Sequence, residues 1–446
     1  MMEEIIFSDG TRADVTEYYS ALLSERYYRV IHPSGLPIYF FPKKHTTVSA
    51  LYATRFGAAD LAFTVDGEEE TVLPMGCAHF LEHKMFEEED GSDAFERFSA
   101  LGADANAYTS WDKTAYLFHT TEAFGECLSA LLSFVSRPYF TKETVKKEQG
   151  IIAEEIRMND DSPAERCFTN ALRAIYSENA VRNEICGTEE SIGRITPEIL
   201  YRCCDVFYRP SSMALVVSGD VTLREIVSVV DGVLGALPTR GPAPRYTRRD
   251  ENRGETRAVC MPRIEERMEV GKPMFVIAVK DHDAVLLSPD ERMRRDALMT
   301  LIREMYFSTS SELYTRLLDE ELVSPQFSAG YGATSLYAFF EIAGESDDPD
   351  RVLREILGAI REIREKGVDP DAFERARRVL YAKTVKSFDS TKTVSEMLLD
   401  FVLSDYELFR YVSLFDTLTC DDVAELIESS FCEESFALSV ISPLSE

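Results

Sequence analysis

The chain has 446 residues, of which 45% are hydrophobic and 28% charged, and a formal net charge of -30. The length exceeds one ordinary core and predicts two domains, and the composition excludes fibrous and disordered classes. So much negative charge repels nucleic-acid phosphate and anionic membrane surfaces; it suits solubility and would attract cationic ligands such as basic peptides.

The opening Met1-Met2-Glu3-Glu4 has neither the basic leader nor the apolar run of a secretory signal, and no later stretch has the length of a membrane span. Nine cysteines, without a CxxC pair and including the adjacent Cys203-Cys204, argue against a disulfide framework. A cytoplasmic, reducing setting is expected.

Leu36 to Phe41 and Val48 to Phe56 read as β-rich segments placed before amphipathic helices. Pro74 can open the first helix, because the amide donor it lacks is not needed there. On that helix His79-Phe80-Leu81-Glu82-His83 sets two imidazoles four residues apart on one face, a spacing from which both reach a single zinc ion. Glu82 is close enough to take a proton from a zinc-bound water without itself ligating. The bland alternative is a surface helix with two solvated histidines.

A catalytic zinc needs a third protein ligand and an open position. Residues 141 to 159, TKETVKKEQGIIAEEIRMN, form a helical stripe of Val145, Ile152 and Ile156 that also contains Glu148 and Glu155, whereas Glu154 points to the polar side. Two carboxylates on a buried face are costly unless a cation neutralises them. Glu155 is the candidate ligand and Glu148 its neighbour; the alternative is a carboxylate pair satisfied by structural Lys or Arg.

The stretch 237–256, LPTRGPAPRYTRRDENRGET, is rich in proline, glycine and arginine without apolar periodicity and reads as an interdomain linker. The expected domains are therefore 1–236, carrying the metal motif, and 257–446. The halves resemble each other internally: Met213-Ala214-Leu215 matches Phe436-Ala437-Leu438, and Thr141 to Ile156 resembles Asp369 to Thr384. That alignment sets Lys383 opposite Glu155, and no second H-x-x-E-H exists, so the later copy is expected to hold no metal. The predicted class is α+β: two homologous domains, each a mainly antiparallel sheet packed with helices.

These residues resemble the inverzincin peptidases of the pitrilysin and insulinase family, whose pattern is H-x-x-E-H followed by an E-x(6)-E helix. The interval between the two motifs is slightly shorter here, as a trimmed loop would make it. Gly102 to Phe118, GADANAYTSWDKTAYLF, resembles the family's NAxTSxDxTxY strand, and Phe207 to Val221 resembles the strand closing its catalytic domain. The second half, with Ser310 to Leu322, fits short members of mitochondrial-processing-peptidase size, and the wording around His79 is most similar to a YmfH-like bacterial subgroup.

The resemblance implies a zinc endopeptidase with His79, His83 and Glu155 as ligands and Glu82 and Glu148 in the catalytic set. It implies an edge strand on which the substrate peptide lies extended, with Asn106, Ala107 and Tyr108 facing the scissile bond. The residue-level alternative is a plain sheet strand with Tyr116 and Phe118 in the core. Active members also supply an Arg and a Tyr from a C-terminal domain, yet Leu322 to Gly344 offers Tyr331 and Tyr337 and no arginine. A related subunit carrying that pair, in a heterodimer, is the expected partner, with a homodimer second. The rival function is a non-catalytic peptide-binding or assembly subunit; a zinc hydrolase of some non-peptide bond is a third class.

Overall fold

The computed structural model describes residues 5–237 and 243–444. It contains two compact units, each built on its own sheet. Among the described residues the first unit takes 5–154, 185–237, 243–249 and 385–409; the second takes 155–184, 250–384 and 410–444.

The first unit's main sheet uses β1 (Val15–Ser20), β2 (Glu25–Ile31), β3 (Pro37–Pro42), β4 (Val48–Thr54), β7 (Asp104–Thr109), β8 (Thr114–Thr120) and β9 (Met213–Gly219), in the order β1-β2-β3-β9-β4-β8-β7. Every pairing is antiparallel except β3 with β9. The central strands β4 and β9 are buried along their whole length, as their unbroken apolar and small-residue runs require. On one face of this sheet Tyr27, Phe41, Leu51, Leu117 and Val216 form a core with Val394, Leu398 and Leu399 of the helix Thr391–Leu403. Its other helices are α1 (Cys77–Met85), α2 (Ala94–Ala100), α3 (Phe124–Ser136) and most of α4 (Lys142–Asp160).

The second unit's sheet has the order β11-β15-β12-β14-β13, from β11 (Arg263–Met268), β12 (Met274–Lys280), β13 (Ser328–Ala333), β14 (Ala338–Glu345) and β15 (Phe436–Pro443). Only β11 with β15 is parallel. This repeats β3-β9-β4-β8-β7 strand for strand, so the internal duplication read from the sequence is a duplication of topology. The matched Met213-Ala214-Leu215 and Phe436-Ala437-Leu438 open β9 and β15. Helix Pro370–Ser387 takes the place of α4 and helix Pro289–Tyr306 that of α1. In this copy Lys383 Nζ lies 2.6 Å from Glu304 Oε2, an ion pair between those two helices.

The expected single cut between domains gives way to an exchange. α5 (Pro163–Ile175), which follows α4 in the first half, packs against β12 and β15 of the second unit, while the helix Thr391–Leu403 of the second half packs against β4 and β9. Each covers a sheet face that would otherwise expose aliphatic side chains to water.

Of the stretch read as a linker, residues 238–242 lie outside the described residues. The rest is not a free connection. Tyr246–Arg248 is a strand, β10, beside β5 (Ala62–Val65), which also pairs with the short β6 (Thr71–Val72). Arg248 bonds the buried Asp60 carboxylate. A three-residue strand is too short to leave a periodic signal.

Glu255 is buried in the second unit, ion-paired with the equally buried Lys280 and accepting the backbone N–H groups of Ser177, Glu178 and Asn179. Removing one partner of a buried pair strands the other charge. Glu255→Ala is expected to cost about 3–5 kcal/mol of stability by urea unfolding.

Candidate metal centre

α1 is buried on almost every side, so its histidines are not the solvated pair of the bland reading. It starts later than Pro74 suggests. Gly76 is the N-cap, in the left-handed region at φ 82, and no side chain caps the helix. The residue must be glycine because the Cys186-Gly187 backbone lies against it: a Cβ there would fall 2.3 Å from the Cys186 carbonyl oxygen. This close approach fixes where α1 begins and hence which way its side chains point.

His79 is buried, His83 is partly open, and their rings lie 4.6 Å apart between centroids. Cys186 Sγ stands 3.9 Å from His79 Nε2. On α4, Val145, Ile152 and Ile156 are buried, Glu148 and Glu155 half-buried, and Glu154 exposed, as the helical stripe predicts. The division between units falls inside α4, after Glu154, but the helix is continuous, and Glu155 sits two turns beyond Glu148 on it.

Glu148 Oε1 lies 3.1 Å from His83 Nδ1. A carboxylate there holds the proton on Nδ1 and turns the Nε2 lone pair outward, the arrangement that orients a ligating imidazole. The ligand atoms of His79, His83 and Glu155 lie within 4.8 Å of one another. Three donors on one zinc ion sit about 3.4 Å apart, so shifts of about 1 Å would seat it. Two imidazoles and a carboxylate, one imidazole braced by a second carboxylate, fit zinc in both donor chemistry and spacing.

Glu82, also buried, accepts a hydrogen bond from Thr109 Oγ1 at 2.6 Å. The phenols of Tyr116 and Tyr208, 3.0 Å apart, form the floor nearby. Burial pushes both well above the usual tyrosine range, and the Glu82 charge adds to it, so both stay neutral.

The segment read as one strand is a hairpin: β7, the turn at 110–113, then β8. Tyr116 and Phe118 are fully buried on β8, while β7 is the sheet's edge. The core reading therefore applies to the second arm, and the first arm is an edge strand. Ser110 N donates to the Lys113 carbonyl, which makes 110–113 a hydrogen-bonded pair. By alternation Asn106 and Tyr108 turn their main chain toward β8, and Ala105, Ala107 and Thr109 turn theirs to the open edge.

The three expected substrate residues thus do not act alike. Ala107 shares the face of Thr109, which meets α1 through Glu82. Tyr108 lies on the opposite face against the core that includes Leu398, its phenol pushed up to about 12 by burial first and Asp400 next. Asn106 folds back so that its Oδ1 accepts the Ala107 N–H at 2.9 Å. Sequence reasoning did not single out Thr109, Gly76 or Cys186. Thr109 stands inside the quoted NAYTS string, but the other two act through backbone packing that leaves no spacing pattern.

Comparison with known proteins fits this geometry. The family model for Insulinase (Peptidase family M16) matches residues 59–189, which hold both motifs, and that for the Peptidase M16 inactive domain matches 194–380. The chain is 34% identical to the uncharacterised zinc protease YmfH of Bacillus subtilis (strain 168), over 95% of this chain and 98% of that one.

The chain belongs to the insulinase family of peptidases, M16. An M16-like peptidase from Alicyclobacillus acidocaldarius superposes with a TM-score of 0.88 at 31% identity, covering 97% of this chain and 99% of that one. Pitrilysin shares the fold at a TM-score of 0.71 and 16% identity, over 95% of this chain and 46% of its own.

In this M16 chain Glu148→Ala is expected to weaken zinc binding about 10- to 100-fold, measured by chelator competition, while leaving the fold intact by circular dichroism.

Proposed function

We propose that this protein is a zinc-dependent endopeptidase acting on peptides or unfolded segments bound as an extended strand. The observation that carries the reading is the convergence of His79, His83 and Glu155, with Glu82 on the same helix as the histidines and bonded to Thr109 of the edge strand β7. His79, His83 and Glu155 would hold the metal, and Glu148 would orient His83. Zinc, when bound, supplies Lewis-acid activation of water and of the scissile carbonyl.

The chain's own groups do the rest. The outward N–H and C=O groups of Ala105, Ala107 and Thr109 pair with the peptide backbone and fix its register, with the Ala107 amide exchanging its Asn106 partner for the substrate. A methyl at Ala107 leaves room for the scissile bond to approach α1. Glu82 takes the proton of the attacking water and returns it to the leaving amine. An edge strand reads unpaired, extended main chain, which flexible segments offer along their length, so flexible chains are the proposed substrate class.

A related subunit supplying an Arg and a Tyr is the proposed partner, with a second copy of this chain as the other choice. Support comes from the second unit, where the Tyr331 hydroxyl donates to Asp281 at 2.8 Å and Arg295 grips the same carboxylate at 2.6 and 2.8 Å. Both groups are committed to that network. Native mass spectrometry of the co-purified complex distinguishes the two assemblies. The cytoplasm is the proposed compartment, supported by nine cysteines without a CxxC pair. Among the described residues no helix is long and apolar enough to cross a membrane.

Glu82→Gln is expected to bind one zinc per chain yet lose at least about 100-fold in turnover of fluorescein-labelled casein. His83→Ala is expected to lose the zinc. A chain without zinc in either wild-type or variant form would instead support a non-catalytic, peptide-binding subunit.

A further inference from the structure

We propose that Thr109 is a positioning residue for the general base, its hydroxyl holding the Glu82 carboxylate and tying it to the strand on which the peptide lies. The proposal rests on the reading of Glu82 given above and goes beyond it by naming what sets that carboxylate's orientation.

The argument is an inventory of protons. A threonine hydroxyl has one to give. Thr114, buried beside Thr109, spends its own on the Phe56 carbonyl at 2.8 Å. Toward Thr109 Oγ1, 3.3 Å away, it can therefore act only as an acceptor. The proton of Thr109 goes to the nearer and charged partner, Glu82 Oε2 at 2.6 Å. A hydrogen bond to a carboxylate is about twice as strong as one between neutral groups, and stronger still away from water. Glu82 is only 8% exposed, so solvent is a poor substitute. Among the described residues Thr109 Oγ1 is the hydrogen-bond partner found for the Glu82 carboxylate.

Thr109 is also the last residue of β7, and its own N–H and C=O point to the open edge. The strand is anchored just beyond it, where Ser110 O accepts from Ala58 N and Ser110 N donates to Lys113 O. One residue thus touches the base through its side chain and presents its main chain to the peptide. Pairing of substrate along Ala105, Ala107 and Thr109 would stiffen the group that aims Glu82, so docking and proton transfer share a lever.

Two variants of the full chain test this. Thr109→Val keeps the shape and the main chain but has no proton to donate; Thr109→Ser keeps the donor. In crystal structures of the zinc-loaded proteins, the Glu82 carboxylate should swing or disorder in Thr109→Val and stay in place in Thr109→Ser. With fluorescein-labelled casein, Thr109→Val should keep its zinc and KM but lose roughly 10- to 100-fold in kcat, and Thr109→Ser should recover to within about 3-fold of wild type. An unmoved Glu82 carboxylate in zinc-loaded Thr109→Val, or a wild-type kcat in that variant while Glu82→Gln is inactive, overturns the positioning role alone. Wild-type turnover by Glu82→Gln would overturn the base assignment and this proposal with it.

Discussion

Everything at this site depends on holding three ligand atoms, two of imidazole and one of carboxylate, against one another in a half-buried place, and that is a matter of how α1 lies on α4. Glu155 and Glu148, the second of which lies against His83, stand on a helix face that also carries Val145, Ile152 and Ile156. The apolar residues pull that face inward, and the carboxylates must follow. Desolvating two negative charges is unfavourable unless positive charge meets them. A divalent cation would do so for Glu155, and Glu148 has the His83 Nδ1 within hydrogen-bond distance.

The second copy of the fold meets the same constraint in another way. The helices in the places of α1 and α4 again pack with a buried acid between them, Glu304, but a lysine stands at the position of Glu155. The ammonium of Lys383 satisfies Glu304 directly, and no metal is needed. Duplicated topology therefore did not preserve duplicated chemistry. One helix pair keeps carboxylates that a cation could neutralise from outside, and the other pairs its buried acid internally.

The hairpin from Asp104 to Thr120 shows how one stretch of sequence can serve two purposes. Its second arm is core, with Tyr116 and Phe118 sealed between sheet and helices. Its first arm has a neighbour on one side only, and the alternation of main-chain direction sorts its residues into those that bind β8 and those that face outward. Thr109 joins this arm to α1, so the edge strand and the acid beside the metal ligands form one mechanical piece. In the second unit β13 occupies the place of β7, but its Tyr331 hydroxyl is taken by Asp281, itself held by Arg295.

The grouping of His79, His83 and Glu155 as a candidate metal site was legible in the sequence because helical spacing is local. Residues four apart on α1 and seven apart on α4 must share faces, whatever the rest of the chain does. The duplicated α+β class was legible for a similar reason, since alternating and helical apolar patterns recur at the same offsets in both halves. Tertiary structure alone decided that α5 and the helix Thr391–Leu403 are traded between the two units, that part of the supposed linker is a strand, and that α1 begins at Gly76. It also decided that Thr109 holds Glu82. Each of these rests on contacts between residues far apart in the chain, or on backbone approaching backbone, and neither leaves a period or a spacing for the sequence to display.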